Sequence, residues 1–203
     1  MSTELLRVAV GALISSVVLA AVLTGGAARG ADIEAGRKKS EPCAACHGPD
    51  GNGGPPGTPS IAAMPAWFNH WQLIMFRDGR RKDPQMSPFA ANLSDADMTE
   101  LSAFYAAQGA RAKPASTEPR RVAAGQTLAQ NNNCLSCHGP TLMGQNLVPR
   151  VAGQDQAYLK KRLTGYRAKT TSDLDGMMTM IAQTLTDEDI ENLVHFMASV
   201  APR

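Results

Sequence analysis

The sequence predicts an all-α fold made of two tandem homologous units, and three observations carry that expectation. A five-residue motif, Cys43-Ala44-Ala45-Cys46-His47, recurs as Cys134-Leu135-Ser136-Cys137-His138, 91 residues later. The surroundings recur with it: Ile61 matches Val151, Phe76-Arg77 matches Tyr166-Arg167, and Met86 to Tyr105 aligns with Met178 to Met197 without a gap, the offset drifting only from 90 to 92. Between the motifs the apolar residues fall at helical spacing, and runs of alternating strand residues are scarce.

Each element follows from local signals. Ser94 with Asp95 and Asp97 caps a helix carrying Leu101, Phe104 and Tyr105 and ending near Gly109. Thr186 with Asp187, Glu188 and Asp189 does the same for Ile190, Leu193, Val194 and Met197. A middle helix is expected from Ala66 to Asp78, stopped by Gly79, with a counterpart from about Asp155 to Arg167. A first helix leads into each cysteine motif, from Ile33 and from Arg121, whereas Gly51 to Pro59, with four Gly and three Pro, is loop. The stretch Gly109 to Arg120, holding Pro114 and Pro119, is the expected hinge, which gives units of residues 32–113 and 114–203.

Residues 1–31 read as a targeting segment. The chain is uncharged from Val8 to Ala28, and small residues follow up to Ala31, so the segment is either a cleaved signal peptide or an N-terminal anchor. The remainder is then exported. With Lys+Arg 20 against Asp+Glu 18, the chain lacks the field needed to hold a phosphate backbone, which removes nucleic acid from the expected partners. A 43% hydrophobic and 19% charged composition excludes disordered, collagenous and polytopic membrane classes. The aromatic share of 5% is thin for a core and leaves apolar volume for something other than side chains.

In an exported chain four cysteines suggest disulfides, but their placement points elsewhere. Cys-x-x-Cys-His is the pattern of covalent c-type haem attachment. Two thiols three positions apart on one helical turn reach the vinyl groups along one porphyrin edge, and the adjacent imidazole lies under the iron. A zinc ribbon needs its cysteine pairs about 15–20 residues apart. A thioredoxin-type pair predicts one motif among alternating strands and helices. Two covalently bound haem c groups are therefore expected, at Cys43, Cys46 and His47 and at Cys134, Cys137 and His138. They also supply the apolar volume that units of this size lack.

Two such motifs, each followed by a methionine loop and a capped Leu-Ser-Asp or Leu-Thr-Asp helix, resemble the bacterial dihaem class I cytochromes c of the cytochrome c4 type. The resemblance covers the exported chain almost end to end. It implies two small helical domains, each wrapped around one haem and packed across a pseudo-twofold axis. It also implies single-electron transfer in a respiratory chain, between a membrane quinol-oxidising complex and a terminal oxidase or a periplasmic enzyme. From the same resemblance, the carbonyls of Pro59 and Pro149 are expected to accept from the proximal imidazoles.

A thioether opposite histidine favours reduced iron, which suits a carrier. Met86 is the only methionine between Gly79 and Ser94, while Met75 and Met98 fall in helices, where core packing is expected, and Met64 precedes the middle helix. In the second unit Met178 stands seven positions before Leu185, as Met86 stands seven before Leu93, so Met178 is preferred over Met177 and Met180, which are read as core gap-fillers. The metal ligands are then His47, Met86, His138 and Met178. His70 and His195 are read as structural, and Arg77, Arg80 and Arg81 as either partners of haem propionates or a solvated basic cluster. The first unit departs from the pattern: it has Ile61-Ala62-Ala63-Met64-Pro65 where the second has Val151-Ala152-Gly153-Gln154, and it carries the unusual Trp67 to Trp71 run.

Three functions fit: a free or anchored dihaem carrier, the electron-accepting haem subunit of a periplasmic dehydrogenase of flavocytochrome type, and a dihaem peroxidase. The last needs an iron with a displaceable ligand, and a methionine is present for each. No cluster of acid, base or nucleophile appears elsewhere, so no catalytic residue is expected.

Overall fold

The computed structural model describes residues 31–171 and 173–203. The targeting segment expected at residues 1–31 lies outside them, apart from Ala31. Ten helices are described and no strands, only an isolated bridge between Gln145 and Val148.

In the first repeat, α1 (Ile33–Lys39) is capped by Asp32, whose carboxylate accepts from the N–H of Glu34 and Ala35, both at 3.0 Å. Helix α2 (Glu41–His47) holds the whole cysteine motif and stops at Gly48, whose φ of +75° favours glycine. Then come α3 (Ala66–Arg77), α4 (Met86–Ala90) and α5 (Asp95–Ala106). The second repeat gives α6 (Pro119–Asn131), α7 (Cys134–His138), α8 (Gln156–Arg167), α9 (Met177–Ala182) and α10 (Asp187–Ser199). Helix α6 begins two residues before the expected Arg121, because Pro119 is suited to the first helical position. The predicted caps of α5 and α10 are complete capping boxes: Ser94 and Asp97 exchange hydrogen bonds with each other's backbone N–H, as do Thr186 and Asp189.

The first and last helices of each repeat cross at a glycine. A Cβ on Gly36 would lie 2.1 Å from the Glu100 carbonyl oxygen of α5, and one on Gly125 would lie 2.0 Å from the Asn192 carbonyl oxygen of α10. Only a residue without a side chain admits that approach. Because α1 runs directly into α2, and α6 nearly so into α7, each crossing fixes where its cysteine motif sits. The middle helices α3 and α8 pack on α5 and α10. In the second repeat Leu142, Leu159, Leu163, Ile190, Leu193 and Met197 form one buried cluster, while the corresponding cluster of the first repeat is Leu101, Phe104 and Tyr105.

The departure at Ala63 leaves the backbone unchanged. Ala63 adopts φ +49° where Gly153 has +60°, and their N–H groups donate to the carbonyls of Tyr105 and Met197, each at 2.9 Å. Alanine is held here in a region that glycine enters more easily.

The repeats meet through residues 57–62 and 150–155. Gln154 brackets Ser60, accepting from its N–H at 2.8 Å and donating to its carbonyl at 2.8 Å, and Gly57 N–H donates to Asp155 at 2.9 Å. The connection expected to be a hinge is instead pinned along its length. Gly109 and Arg111 bond to the Asn52 side chain, Lys113 N–H to the Gly153 carbonyl, Ser116 to Gln156 and Glu118 to His195. The segment lacks helical hydrogen bonds of its own, so its polar groups are satisfied by the repeats on either side.

Candidate haem sites

In the first repeat α2 places Cys43, half-buried, and Cys46, exposed, three residues apart, with His47 next in line and only 5% exposed. Burial pushes the Cys43 thiol up. The His47 Nδ1 lies 2.9 Å from the Pro59 carbonyl oxygen. A carbonyl only accepts, so the proton sits on Nδ1 and the Nε2 lone pair is left for a metal. Burial first, and repulsion from Lys113 last, hold the His47 proton affinity below its ordinary value, which keeps the ring neutral as ligation requires. The second repeat repeats this arrangement: His138 is 6% exposed, its Nδ1 lies 2.9 Å from the Pro149 carbonyl, and burial lowers its pKa.

A cavity of about 750 Å³ opens beside α2, lined by Cys43, Cys46, His47, Met64 and Met86. It is near the upper end of the range for sites that bury a sizeable organic ligand, about 300–1,000 Å³. The buried hydroxyls of Ser102 and Tyr105 line it and have no partner among the described residues. The low aromatic content thus corresponds to real unfilled volume.

Met86 opens α4, and its N–H donates to Asp83 at 3.1 Å. Met178 packs against the second repeat's buried cluster, and its N–H donates to Asp173 at 2.6 Å. Burial works against ionisation of both carboxyls, yet donors outweigh it and hold both pKa values down: Met86, Gln85 and Lys161 for Asp83, and Thr179 with the Met178 N–H for Asp173. Neither aspartate was marked by any motif. Met75 and Met98 are core residues, as expected. Met177 and Met180 are not: they are 45% and 59% exposed. The reading of them as gap-fillers fails because α9 is a single short turn-and-a-half whose one buried residue is Ala182.

Of the three arginines considered for propionates, Arg77 is engaged by Asp95 at 2.7 Å and by Asp78, and Arg80 pairs with Asp78 while stacking on Trp71. Arg81 differs. It lines the cavity, as Arg80 does, but pairs with no carboxylate among the described residues; it lies over the Phe76 ring and donates to the Tyr158 hydroxyl of the second repeat at 3.2 Å. Arg162 lines the same cavity and donates to Thr171 and Tyr166, each at 2.6 Å. Neither has a carboxylate within ion-pair distance among the described residues. Two cations facing a cavity without counter-ions fit a group that carries its own carboxylates. Arg162 and Tyr158 carried no sequence signal, since they reach the first repeat's site only through folding. His70 contacts Thr99 and the Trp67 edge, and His195 accepts from Glu118 N–H, so both are structural.

Residues 31–104 match the family described as cytochrome c oxidase, cbb3-type, subunit III, and residues 122–201 match cytochrome c. The chain is 33% identical to cytochrome c4 of Pseudomonas aeruginosa, over 88% of this chain and 93% of that protein. It is likewise 33% identical to the thiosulfate dehydrogenase electron acceptor of Stutzerimonas stutzeri, over 79% and 80%. The crystal structure of reduced cytochrome c4 from Pseudomonas stutzeri matches with a TM-score of 0.77 at 28% identity, covering 83% of this chain and 98% of that one. Fold, motifs and likeness define a dihaem c-type cytochrome, two class I cytochrome c domains in tandem with two covalently bound haem c groups. The chain belongs to the cytochrome c4 family, and its activity is electron transfer.

Proposed function

We propose that His47 and Met86 ligate one haem iron and His138 and Met178 the other, with thioether links at Cys43, Cys46, Cys134 and Cys137, in domains spanning 32–113 and 114–203. The observation that carries this reading is the repeated pairing of a buried imidazole, its Nδ1 proton fixed by a proline carbonyl, with a methionine held by an aspartate. Each haem supplies one iron that takes up and releases one electron at a time. The chain's own residues hold the imidazole proton on Nδ1, exclude water from both rings and place unpaired cations at the cavity wall. With a methionine for each iron, neither is offered to a substrate, so the protein carries electrons without chemistry of its own.

The working place is the periplasm, with residues 1–31 as signal peptide or anchor. No described helix is long and apolar enough to cross a membrane. As a carrier the protein links a quinol-oxidising complex to a terminal oxidase. A second reading, as the electron-accepting subunit of a periplasmic dehydrogenase, is favoured by the likeness to a thiosulfate dehydrogenase electron acceptor. Mass spectrometry of the denatured native protein should give apoprotein plus two haems; one haem or none overturns the reading. Reduced protein should be oxidised rapidly by an oxidase preparation but not by peroxide, and the oxidised protein alone should not turn over sulfide at enzyme-like rates. Peroxide turnover at enzyme-like rates would show that an iron is open. Co-purification with a second cofactor-bearing subunit decides for the dehydrogenase role.

A further inference from the structure

Among the described residues Arg150 is the largest side chain fully withdrawn from solvent, and it has no ion pair there. Its guanidinium donates to three neutral oxygens: the Ser60 hydroxyl at 2.7 Å, the Ala62 carbonyl at 3.2 Å and the Ala152 carbonyl. A buried charge without a counter-ion is costly. Burial brings its pKa down to about 10, which leaves it protonated at neutral pH.

Its position is specific. Arg150 follows Pro149, whose carbonyl holds His138, and its guanidinium ends on Ser60, which follows Pro59, whose carbonyl holds His47. The Arg150 backbone thus adjoins the carbonyl that orients one imidazole, and its guanidinium bonds the residue next to the carbonyl that orients the other. Ser60 and Arg150 also occupy equivalent positions of the two repeats, so a single cation serves a junction that repetition alone would give either none or two.

Lys113 provides a contrast. It is 7% exposed, and its ammonium donates to the Gly54 carbonyl at 2.8 Å. Gly54 lies against the Cys46 carbonyl, 2.2 Å from where its Cβ would be, so this second buried cation lies beside the first motif. The residue 90 positions later is Arg203, which is exposed. The second site has no equivalent among the described residues.

We propose that the Arg150 guanidinium is a fixed positive charge shared by both haem sites, favouring the reduced state at both irons, and that Lys113 does the same at the first site alone. The oxidised site carries one more positive charge than the reduced one, so a nearby cation repels it more, and in a poorly screened interior that difference survives salt. The proposal rests on His47 and His138 being the proximal ligands.

The test is a redox titration of the holoprotein, resolved into its two one-electron waves, after haem content and spectrum have been checked. Arg150→Met should move both midpoints down, Lys113→Met only one, and Arg150→Lys should restore most of the Arg150→Met shift. If Arg150→Met does not assemble, Arg150→Gln, which keeps donors without charge, should move both midpoints down as well. Midpoints unchanged, one midpoint moving alone in either Arg150 variant, or Arg150→Lys shifting as far as Arg150→Met, overturns the proposal. Wild-type protein lacking two haems or histidine ligation would instead overturn the ligand reading beneath it.

Discussion

Replacing Gly36 by alanine tests whether the helix crossing really positions the first cysteine motif. In an isolated helix the change would be favourable by about 1 kcal/mol. Here the new Cβ meets the Glu100 carbonyl oxygen at 2.1 Å, the Glu100 carbonyl carbon at 2.7 Å and the Phe104 Cβ at 2.9 Å. The oxygen is backbone inside α5, so relief requires α1 to move away by about 1 Å, which undoes dispersion contacts along the whole crossing. Overpacking of this kind costs about 1–3 kcal/mol, with immovable backbone at the upper end, so the net effect is a loss of about 2 kcal/mol. The interlocked repeats behave as one body of roughly 170 residues, for which about 2–4 °C is lost per kcal/mol, giving a melting temperature lower by about 4–8 °C. Circular dichroism melts of the holoprotein measure this. Gly125→Ala should behave alike, since its Cβ would lie 2.0 Å from the Asn192 carbonyl oxygen, whereas Gly109→Ala, with nothing within 4 Å, should leave the melt near wild type. A Gly36→Ala protein that melts at or above the wild-type temperature would refute the reasoning.

Met86→Ala should abolish the near-infrared sulfur-to-iron band of one haem and lower its potential while leaving the other nearly intact, and Met178→Ala should do the same for the second. The same changes on replacing Met177, which is 45% exposed, or the buried Met64 would show the register to be wrong. Asp173→Ala should weaken the Met178 band without removing the haem, because it deletes the acceptor of the Met178 N–H. Lys39, then the Ser94 hydroxyl and N–H, lower the Asp97 pKa to about 2. A depressed carboxylate contributes stability above its unfolded value, near 4, and that contribution disappears as pH falls towards 2. Asp97→Asn should therefore cost up to about 1 kcal/mol at neutral pH, discounted for a surface site, and nothing near pH 2. Acid melts that show a constant difference across that range would contradict it.

The parts of the molecule legible in its sequence are those whose chemistry is local. Covalent attachment needs two thiols and an imidazole within five residues, so Cys43 to His47 and Cys134 to His138 stand out whatever the fold. Ser94 with Asp97 and Thr186 with Asp189 announce helix starts because a cap is satisfied within three residues. The repeat offset then carries a role known in one half to its position in the other, as Leu93 and Leu185 do for Met86 and Met178. Residues that act by long-range convergence leave no such trace. Arg81 and Arg162 are 81 positions apart and reach one cavity only because folding lines it with both the loop after α3 and helix α8. Arg150 and Lys113 read locally as ordinary loop cations of a near-neutral chain. Gly36 and Gly125, mid-helix, read as weak helix formers until the partner helix is seen.

The repeat itself hides a further asymmetry. Across the junction the second repeat supplies side chains, from Arg150, Gln154 and Asp155, while the first supplies mainly backbone, from Gly57, Ser60 and Ala62. Two arginines at the pseudo-equivalent positions would bury two like charges with no anion between them, and two serines would leave the Ala62 and Ala152 carbonyls without this donor. One arginine facing one serine satisfies the oxygens of both halves with a single charge. Divergence of the repeats at this pair of equivalent positions therefore lets two similar haem domains close against each other around one buried charge.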